Sequence, residues 1–287
     1  MRDYVIFVDS ACDIAPNMLD EWGVRHCSLS LTFSNDDKEY FDHEIPSGEF
    51  YAKMRQGVQA KTSAVNVGRF CDVFEGIVRE NFDILYLSFS SGLSSTYNFA
   101  GQAAEEIMEK HQGSRIVVVD TLCASAGYGL LVKLAVDKKN EGASIDEVAA
   151  YADNIKLNIV HWFTVDDLKY LKAGGRISAA TALLGGMLNI KPVMKMDENG
   201  KLVSFSKVRG RKAALRAIAD KFGETALDKN GLAYICHADC IEDVKTLSQY
   251  VKDDYGKDID LVVNIGPVIG SHSGPGTIAL FFLANER

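Results

Sequence analysis

Buried-strand runs alternating with helix-period segments predict an α/β fold, and three observations carry that reading. The runs YVIFV at 4–8, FDILYLSF at 82–89 and RIVVVD at 115–120 are short, apolar and rich in β-branched and aromatic residues. Runs of that length and kind are strands buried on both faces. The segments between them carry apolar residues at 3.6 spacing, as Phe70, Val73, Phe74, Ile77 and Val78 do, which implies a parallel sheet covered by helices. From about residue 160 the texture changes to hairpin-like material, which predicts a second α/β unit with a mixed or antiparallel sheet.

In chain order, the first strand stops at Asp9-Ser10 and delivers polar side chains at its C-terminal end. A second strand is expected over 27–33. Ser47, after Ile45-Pro46, is expected to cap a helix whose one face is Phe50, Tyr51 and Met54. Thr62-Ser63 precede the helix of the 3.6-period segment. The strand at 82–89 runs into the serine-rich stretch 90–96, and a helix follows to about Lys110. Helices are expected at about 122–139 and 144–156, the second opened by the capping box Ser144-Ile-Asp-Glu147. A strand at 160–165 leads to a short helix at 166–172 that ends at Gly174-Gly175. A small-residue apolar helix is expected over 179–188. Asn199-Gly200 is a turn between VMKMDE and KLVSFSKV, followed by a charged helix over 210–222. Strands at 233–237 and 260–265 flank a helix at 241–254. The boundary falls near 156–160, giving units 1–157 and 158–287 with no flexible linker.

Composition narrows the function. The 287 residues are 47% hydrophobic and 24% charged, as in a packed globular protein. Lys and Arg number 31 against 39 Asp and Glu, a formal net charge of -8. Such a surface repels phosphate backbones and anionic headgroups, so no nucleic-acid partner and no integral membrane association are expected. No apolar run reaches the roughly 20 residues of a membrane span. The first apolar stretch, bracketed by Asp3 and Asp9, is too short for a signal peptide, so a cytoplasmic location is expected. Cys12, Cys27, Cys71, Cys123, Cys236 and Cys240 are dispersed and read as reduced thiols rather than a disulfide framework.

Two segments carry candidate chemistry. The stretch Ser90-Ser-Gly92-Leu-Ser94-Ser95-Thr96 follows a buried strand and enters a helix. Ligands of open α/β sheets sit outside such strand ends, and a helix start offers N–H groups and a positive dipole end to an anion. Gly92 is read as admitting close backbone approach; the serines either contact a ligand or only cap the helix. The second segment, 266–276, is read as a glycine-rich loop shaped to present His272, whose imidazole would donate to a carboxylate, more strongly if cationic.

Other signals are weaker. Gly274-Pro-Gly276-x-x-Ala279 matches a dinucleotide fingerprint loosely, but the eight residues that follow leave no room for its βαβ unit. Gly92-Leu-Ser94-Ser-Thr96 resembles a hydrolase nucleophile elbow with threonine in place of the last glycine. Cys236-His237-Ala-Asp239-Cys240 lacks a second ligand pair, so no metal is expected. No Gly-x-x-x-x-Gly-Lys-Ser/Thr phosphate loop occurs. Arg209, Arg211, Lys212 and Arg216 form a basic cluster that is either a solvated helix face or a docking patch.

Taken together, several stretches resemble the DegV family, whose members look like the fatty-acid-binding subunits of bacterial fatty acid kinase. They are VDSACDI at 8–14, KTS at 61–63, SSGLSSTYN at 90–98, VVDT at 118–121 and FTVDDLKYLKAGGRIS at 163–178. LLGGMLNIKPV at 183–193, KVRGRKAAL at 207–215 and GPVIGSHSGPG at 266–276 continue the series. Ala64-Val65-Asn66 departs from the Gln-Pro pair more usual after KTS. The resemblance implies a two-domain α/β carrier, not itself an enzyme, that holds one long-chain fatty acid as ligand with no further cofactor. The carrier presents the carboxylate to a separate ATP-binding kinase subunit for acyl phosphate formation. It implies carboxylate contacts at Thr62, Ser63, Ser94, Ser95 and His272, with Arg176 and Ser273 at the head-group mouth and Arg209 and Arg211 toward the kinase. Ala179, Leu183, Leu184, Met187 and Ile190 are candidates for the acyl slot or for ordinary core. The competing readings are an autonomous esterase or acyltransferase using Ser94 with His272, and a regulatory lipid sensor.

Overall fold

The computed structural model describes residues 2–177 and 189–287. The expected helix at 179–188, and with it Ala179, Leu183, Leu184 and Met187, lies outside the described residues. A four-stranded sheet in the order β2-β1-β6-β7 is formed by β1 (Tyr4–Asp9), β2 (Val24–Cys27), β6 (Asp83–Ser88) and β7 (Ile116–Asp120), all parallel. Every residue of β1 and β6 is buried, which is why their sequences read as unbroken apolar runs rather than alternating ones. Helices α1 (Pro16–Glu21), α3 (Val67–Arg79), α4 (Thr96–Lys110) and α6 (Ile145–Ile155) pack on its strands. The capping box at Ser144 and Glu147 is formed.

A second, mixed sheet has the order β10-β9-β8-β13-β11-β12, from β8 (Ile159–Thr164), β9 (Ile190–Met196), β10 (Leu202–Arg209), β11 (Ala233–His237), β12 (Leu261–Asn264) and β13 (Ile278–Leu283). Only the β11–β12 pair is parallel. Along β8 the side chains alternate by side, as strand geometry requires. Ile159 and Phe163 join the large core shared with the parallel sheet, while Val160 and Trp162 join a smaller core under α8 (Arg211–Thr225) and α9 (Ile241–Tyr255).

Helix α5 (Ser125–Asn140) touches β8, β11 and β13 of the mixed sheet and the 3-10 turn Ser10–Cys12 that follows β1. Its residues from Ser125 to Val132 are all buried. Two glycines make this close packing possible: a Cβ at Gly127 would overlap the rings of His161 and Phe281, and one at Gly129 would overlap Ile14.

Several expectations are corrected. The single strand at 27–33 is two strands: β2 stays in the parallel sheet, and β3 (Ser30–Phe33) leaves it for a small antiparallel sheet with β4 (Asp36–Phe41) and β5 (Ala60–Ser63). The chain changes sheets at Leu29, whose N–H is held by the Ser10 hydroxyl at 3.0 Å. Thr62 and Ser63 therefore belong to β5, and the cap of α3 is Asn66, which accepts from Arg69 N at 3.0 Å. Ser47 is not a cap; α2 (Ser47–Arg55) begins directly after Pro46 and makes no side-chain cap bond. The short helix α7 (Lys169–Ala173) begins later than 166. The stretch 266–276 is not a loop: it contains α10 (Pro267–Ser273), opened by Pro267 at its first position.

The close packing of α5 makes a quantitative prediction. Gly127→Ala should lower the unfolding free energy by about 1–3 kcal/mol, the usual cost of overpacking. Gly76→Ala, in helix α3 with nothing within 4 Å of the added carbon, should instead raise it by up to about 1 kcal/mol. Urea denaturation of both variants checks the pair.

Candidate functional site

A cavity of about 260 Å³ opens between β5, the chain from Phe89 to Ser95 that follows β6, and the face of the mixed sheet that carries Phe163, Ala279 and Phe281. Its lining has two chemistries. One end presents Thr62 and Ser63 from β5, Ser94 and Ser95 before α4, Arg176 after α7, and His272 and Ser273 from α10. The rest is mainly apolar, with Phe89, Leu171, Met196, Cys236, Ile265 and Phe281 among its walls beside Ser125, His161 and Thr277. Ser63 and Ser95 are exposed whereas Cys236 and Phe281 are buried, so the polar end is the mouth. Thr277, Ala279 and Phe281 line it from alternate positions of one chain segment, a span of roughly 13 Å at about 3.3 Å per strand residue.

The mouth is held by specific contacts. His272 Nε2 and the Thr62 hydroxyl are 2.7 Å apart. The other ring nitrogen, Nδ1, is buried and has no hydrogen-bond partner among the described residues, and the same holds for the hydroxyl of Ser273. Gly174 is the reason the ring fits, because a Cβ there would overlap Nδ1. Arg176 is half-buried; its Nε donates to the Leu93 carbonyl at 3.1 Å and its guanidinium also reaches the Gly174 carbonyl. Burial lowers its pKa from the usual arginine value. Ser94 Oγ lies 2.8 Å from the Thr96 hydroxyl and accepts from Thr96 N at 3.2 Å, so it caps α4 while also facing the cavity.

Burial, and then the charge of Arg176, push the His272 pKa down to about 4. At neutral pH the ring is neutral, not cationic, and the positive charge of the mouth belongs to Arg176. A neutral imidazole still donates one N–H, and an anion placed beside it would raise its pKa.

Among the sequence candidates, Thr62, Ser63, Ser94, Ser95, Arg176, His272 and Ser273 converge on this one cavity. Ile190 does not line it; it pairs with Arg209 across β9 and β10. Arg209 is exposed at the end of β10. Arg211 is mostly buried and occupied structurally: it pairs with Asp243 at 2.8 Å, lies 3.6 Å from Asp166 and donates to the Gly276 carbonyl. Gly92 serves the protein rather than a ligand, because a Cβ there would collide with the carbonyls of Asn199 and Gly200. The hairpin turn is pinned to the same loop by Ser90 Oγ, which donates to Gly200 O at 2.8 Å. His237 Nδ1 accepts from Cys240 N at 3.3 Å. The deep wall of Phe163, Cys236 and Phe281 was not among the candidates; the alternating sides of its strands were the available signal.

The hydrolase arrangement is not assembled. His272 Nε2 contacts Thr62, not Ser94, and the Ser94 hydroxyl is engaged by Thr96, whereas a serine nucleophile needs its base within hydrogen-bond reach.

The family model described as "Uncharacterised protein, DegV family" matches residues 3–285. The chain belongs to the DegV family. A DegV domain-containing protein of Clostridium perfringens is 41% identical over 292 residues, covering 100% of this chain and 99% of the relative. One from Lactococcus lactis is 32% identical, covering 99% and 98%. Among solved structures, a DegV family protein from Thermus thermophilus described for its fatty acid binding superposes with a TM-score of 0.87 at 33% identity, covering 99% of this chain and 100% of that one. A stearic-acid-binding protein from Eubacterium ventriosum gives 0.88 at 27% identity, covering 98% of each chain. The DegV neighbours are thus fatty-acid-binding proteins of the same α/β fold, and no helix among the described residues of this member is long and apolar enough to cross a membrane.

The electrostatics of the mouth are checked through the His272 ring. Its NMR titration should have a midpoint of about 4, and Arg176→Gln should raise that midpoint toward the ordinary value. Because the folded pKa lies below the unfolded one, His272 weakens the fold as pH falls from about 6.5 toward 4; Arg176→Gln should lessen that loss in acid unfolding curves.

Proposed function

We propose that this chain is a carrier that binds one long-chain fatty acid in the cavity and presents its carboxylate to a separate ATP-binding fatty acid kinase subunit, which forms the acyl phosphate. The observation that carries the reading is the convergence of the half-buried Arg176 with His272 and Ser273 at one end of a mainly apolar cavity. A carboxylate there would meet the opposite charge of Arg176, and burial strengthens such charge-assisted bonds. Thr62, Ser63, Ser94 and Ser95 complete the set of donors. The apolar wall then takes the tail, worth on the order of 12 kcal/mol gross for about 16 carbons at roughly 0.8 kcal/mol per CH₂ before ordering costs. On this reading the ligand lies between units 1–157 and 158–287, the protein works in the cytoplasm, needs no further cofactor and has no chemistry of its own. Arg209, exposed on β10, is the better of the two arginines for docking the kinase.

Native mass spectrometry of the purified protein, followed by denaturing release, should find one fatty acid per chain. With palmitate as the probe, His272→Ala and Ser94→Ala should each weaken binding by about tenfold or more, the scale of a lost hydrogen bond to a charged group. Both variants should also cut ATP-dependent acyl phosphate formation in the presence of a kinase subunit. A protein that purifies empty and takes up no palmitate removes the proposal. Binding without phosphorylation by any kinase subunit leaves the lipid-sensor reading.

A further inference from the structure

Helix α10 carries His272 and Ser273 in its last turn, but it is only 7 residues long and its first turn has no side-chain cap of its own. A helix so short does not hold itself. Its first turn is gripped instead by two carboxylates from the other end of the sequence. Gly266 N donates to Asp13 Oδ1 at 2.8 Å, and Val268 N donates to Asp42 Oδ1 at 2.8 Å. Asp13 sits in a left-handed conformation (φ 55) directly after the 3-10 turn that follows β1. Its second oxygen accepts from the Ser125 hydroxyl at the start of α5. Asp42 opens the 3-10 turn Asp42–Glu44, and its Oδ2 is buried without a hydrogen-bond partner. Asp13 is 5% exposed and Asp42 0%.

The surroundings explain the grip. Gly266 has to be glycine, since a Cβ would lie 2.9 Å from Asp13 Oδ1 and 3.1 Å from Asp42 Oδ1. Tyr51 of α2 adds a third hold, its hydroxyl donating to the Ile265 carbonyl at 2.9 Å. The titratable groups facing the pair are Asp9, Cys12, Tyr51 and Cys236. Among the described residues, neither carboxylate is in an ion pair with a Lys or Arg. Two buried acids without a cation are expensive, and the N–H groups they hold belong to the one helix that presents His272.

We infer that Asp13 and Asp42 are positioning residues: they seat the first turn of α10 and thereby hold the His272 ring against Thr62 and Gly174 at the cavity mouth. The consequence for ligand binding rests on the fatty-acid reading of that cavity, but the seating itself does not. Burial raises the Asp42 pKa to about 7 and the Asp13 pKa well above its usual value, so near neutral pH the pair keeps a proton rather than two full charges. Asparagine therefore reproduces the acceptor that α10 needs, whereas alanine removes it.

The test is read on the protein without added lipid, by NMR titration of the His272 ring and hydrogen exchange of the α10 amides in Asp42→Asn, Asp42→Ala and Asp13→Asn. Asp42→Asn should keep the low His272 midpoint and the amide protection. Asp42→Ala should free the ring to titrate nearer the ordinary histidine value and speed α10 exchange by about tenfold or more. Should Asp42→Ala not fold, Asp42→Ser, whose shorter side chain withdraws the acceptor from Val268 N, is read in its place: a raised His272 midpoint supports the seating, and a wild-type midpoint overturns it. A folded Asp42→Ala with wild-type His272 titration also overturns it. Palmitate binding is measured in parallel. If wild type binds none while His272 responds as described, the fatty-acid reading falls and the seating stands.

Discussion

The first half of α5 packs on the mixed sheet and is tied by Tyr128 to the ends of β1 and β6, and the cavity lies beside this junction. Gly127 brings the rings of His161 and Phe281 onto the helix from the mixed sheet, and Gly129 brings Ile14 from the other side. Between them, Tyr128 donates its hydroxyl to the Leu87 carbonyl at the end of β6 and accepts from Asp9 N at 3.1 Å. Asp9, wholly buried, accepts from Tyr86 Oη at 2.7 Å and Phe89 N at 3.0 Å. Native interiors pack without large voids, so a cavity survives only where the backbone and polar contacts around it are independently fixed. The ends of β1, β6 and α5 are fixed in this way, and the loop from Phe89 to Ser95 departs from that fixed point toward the mouth.

The mouth sets a local charge against the overall one. The overall charge of -8 acts at long range and is screened by salt, while the mouth contains a half-buried guanidinium and several hydroxyls. Burial makes these few donors count for more than the surface average. It also keeps His272 neutral at neutral pH, so the ring offers a hydrogen bond rather than a second cation beside Arg176.

Much of this was legible residue by residue. The runs at 4–8, 82–89 and 115–120 were strands because only two-sided burial tolerates such sequences, and they were found within a residue or two. The capping box at Ser144 and the turn at Asn199-Gly200 were local chemistry and formed as read. Thr62, Ser94, Arg176 and His272 were singled out through motif resemblance and lie around one cavity. Most of what failed depended on a partner distant in sequence; the cap expected at Ser47 and the early start of α7 were local misreadings. The break between β2 and β3 is set by Ser10, the helix at Pro267–Ser273 is stabilised by Asp13 and Asp42, and β4 and β5 exist because β3 stands between them. Arg211 looked like a docking residue in a basic cluster until Asp243 and Gly276 were seen to occupy it.

The sequence by itself determined the alternation of buried strands and amphipathic helices, the family, and the identity of the polar residues available to a ligand. These follow from short-range steric and hydrophobic pattern, which each segment carries alone. Tertiary structure decided which of those polar groups line a common space and which are consumed in holding the chain together. The physical reason is that a hydrogen bond's worth depends on its burial and its alternatives. His272 and Arg211 are equally polar on paper, but only the fold places one in the lining of a cavity and the other against Asp243.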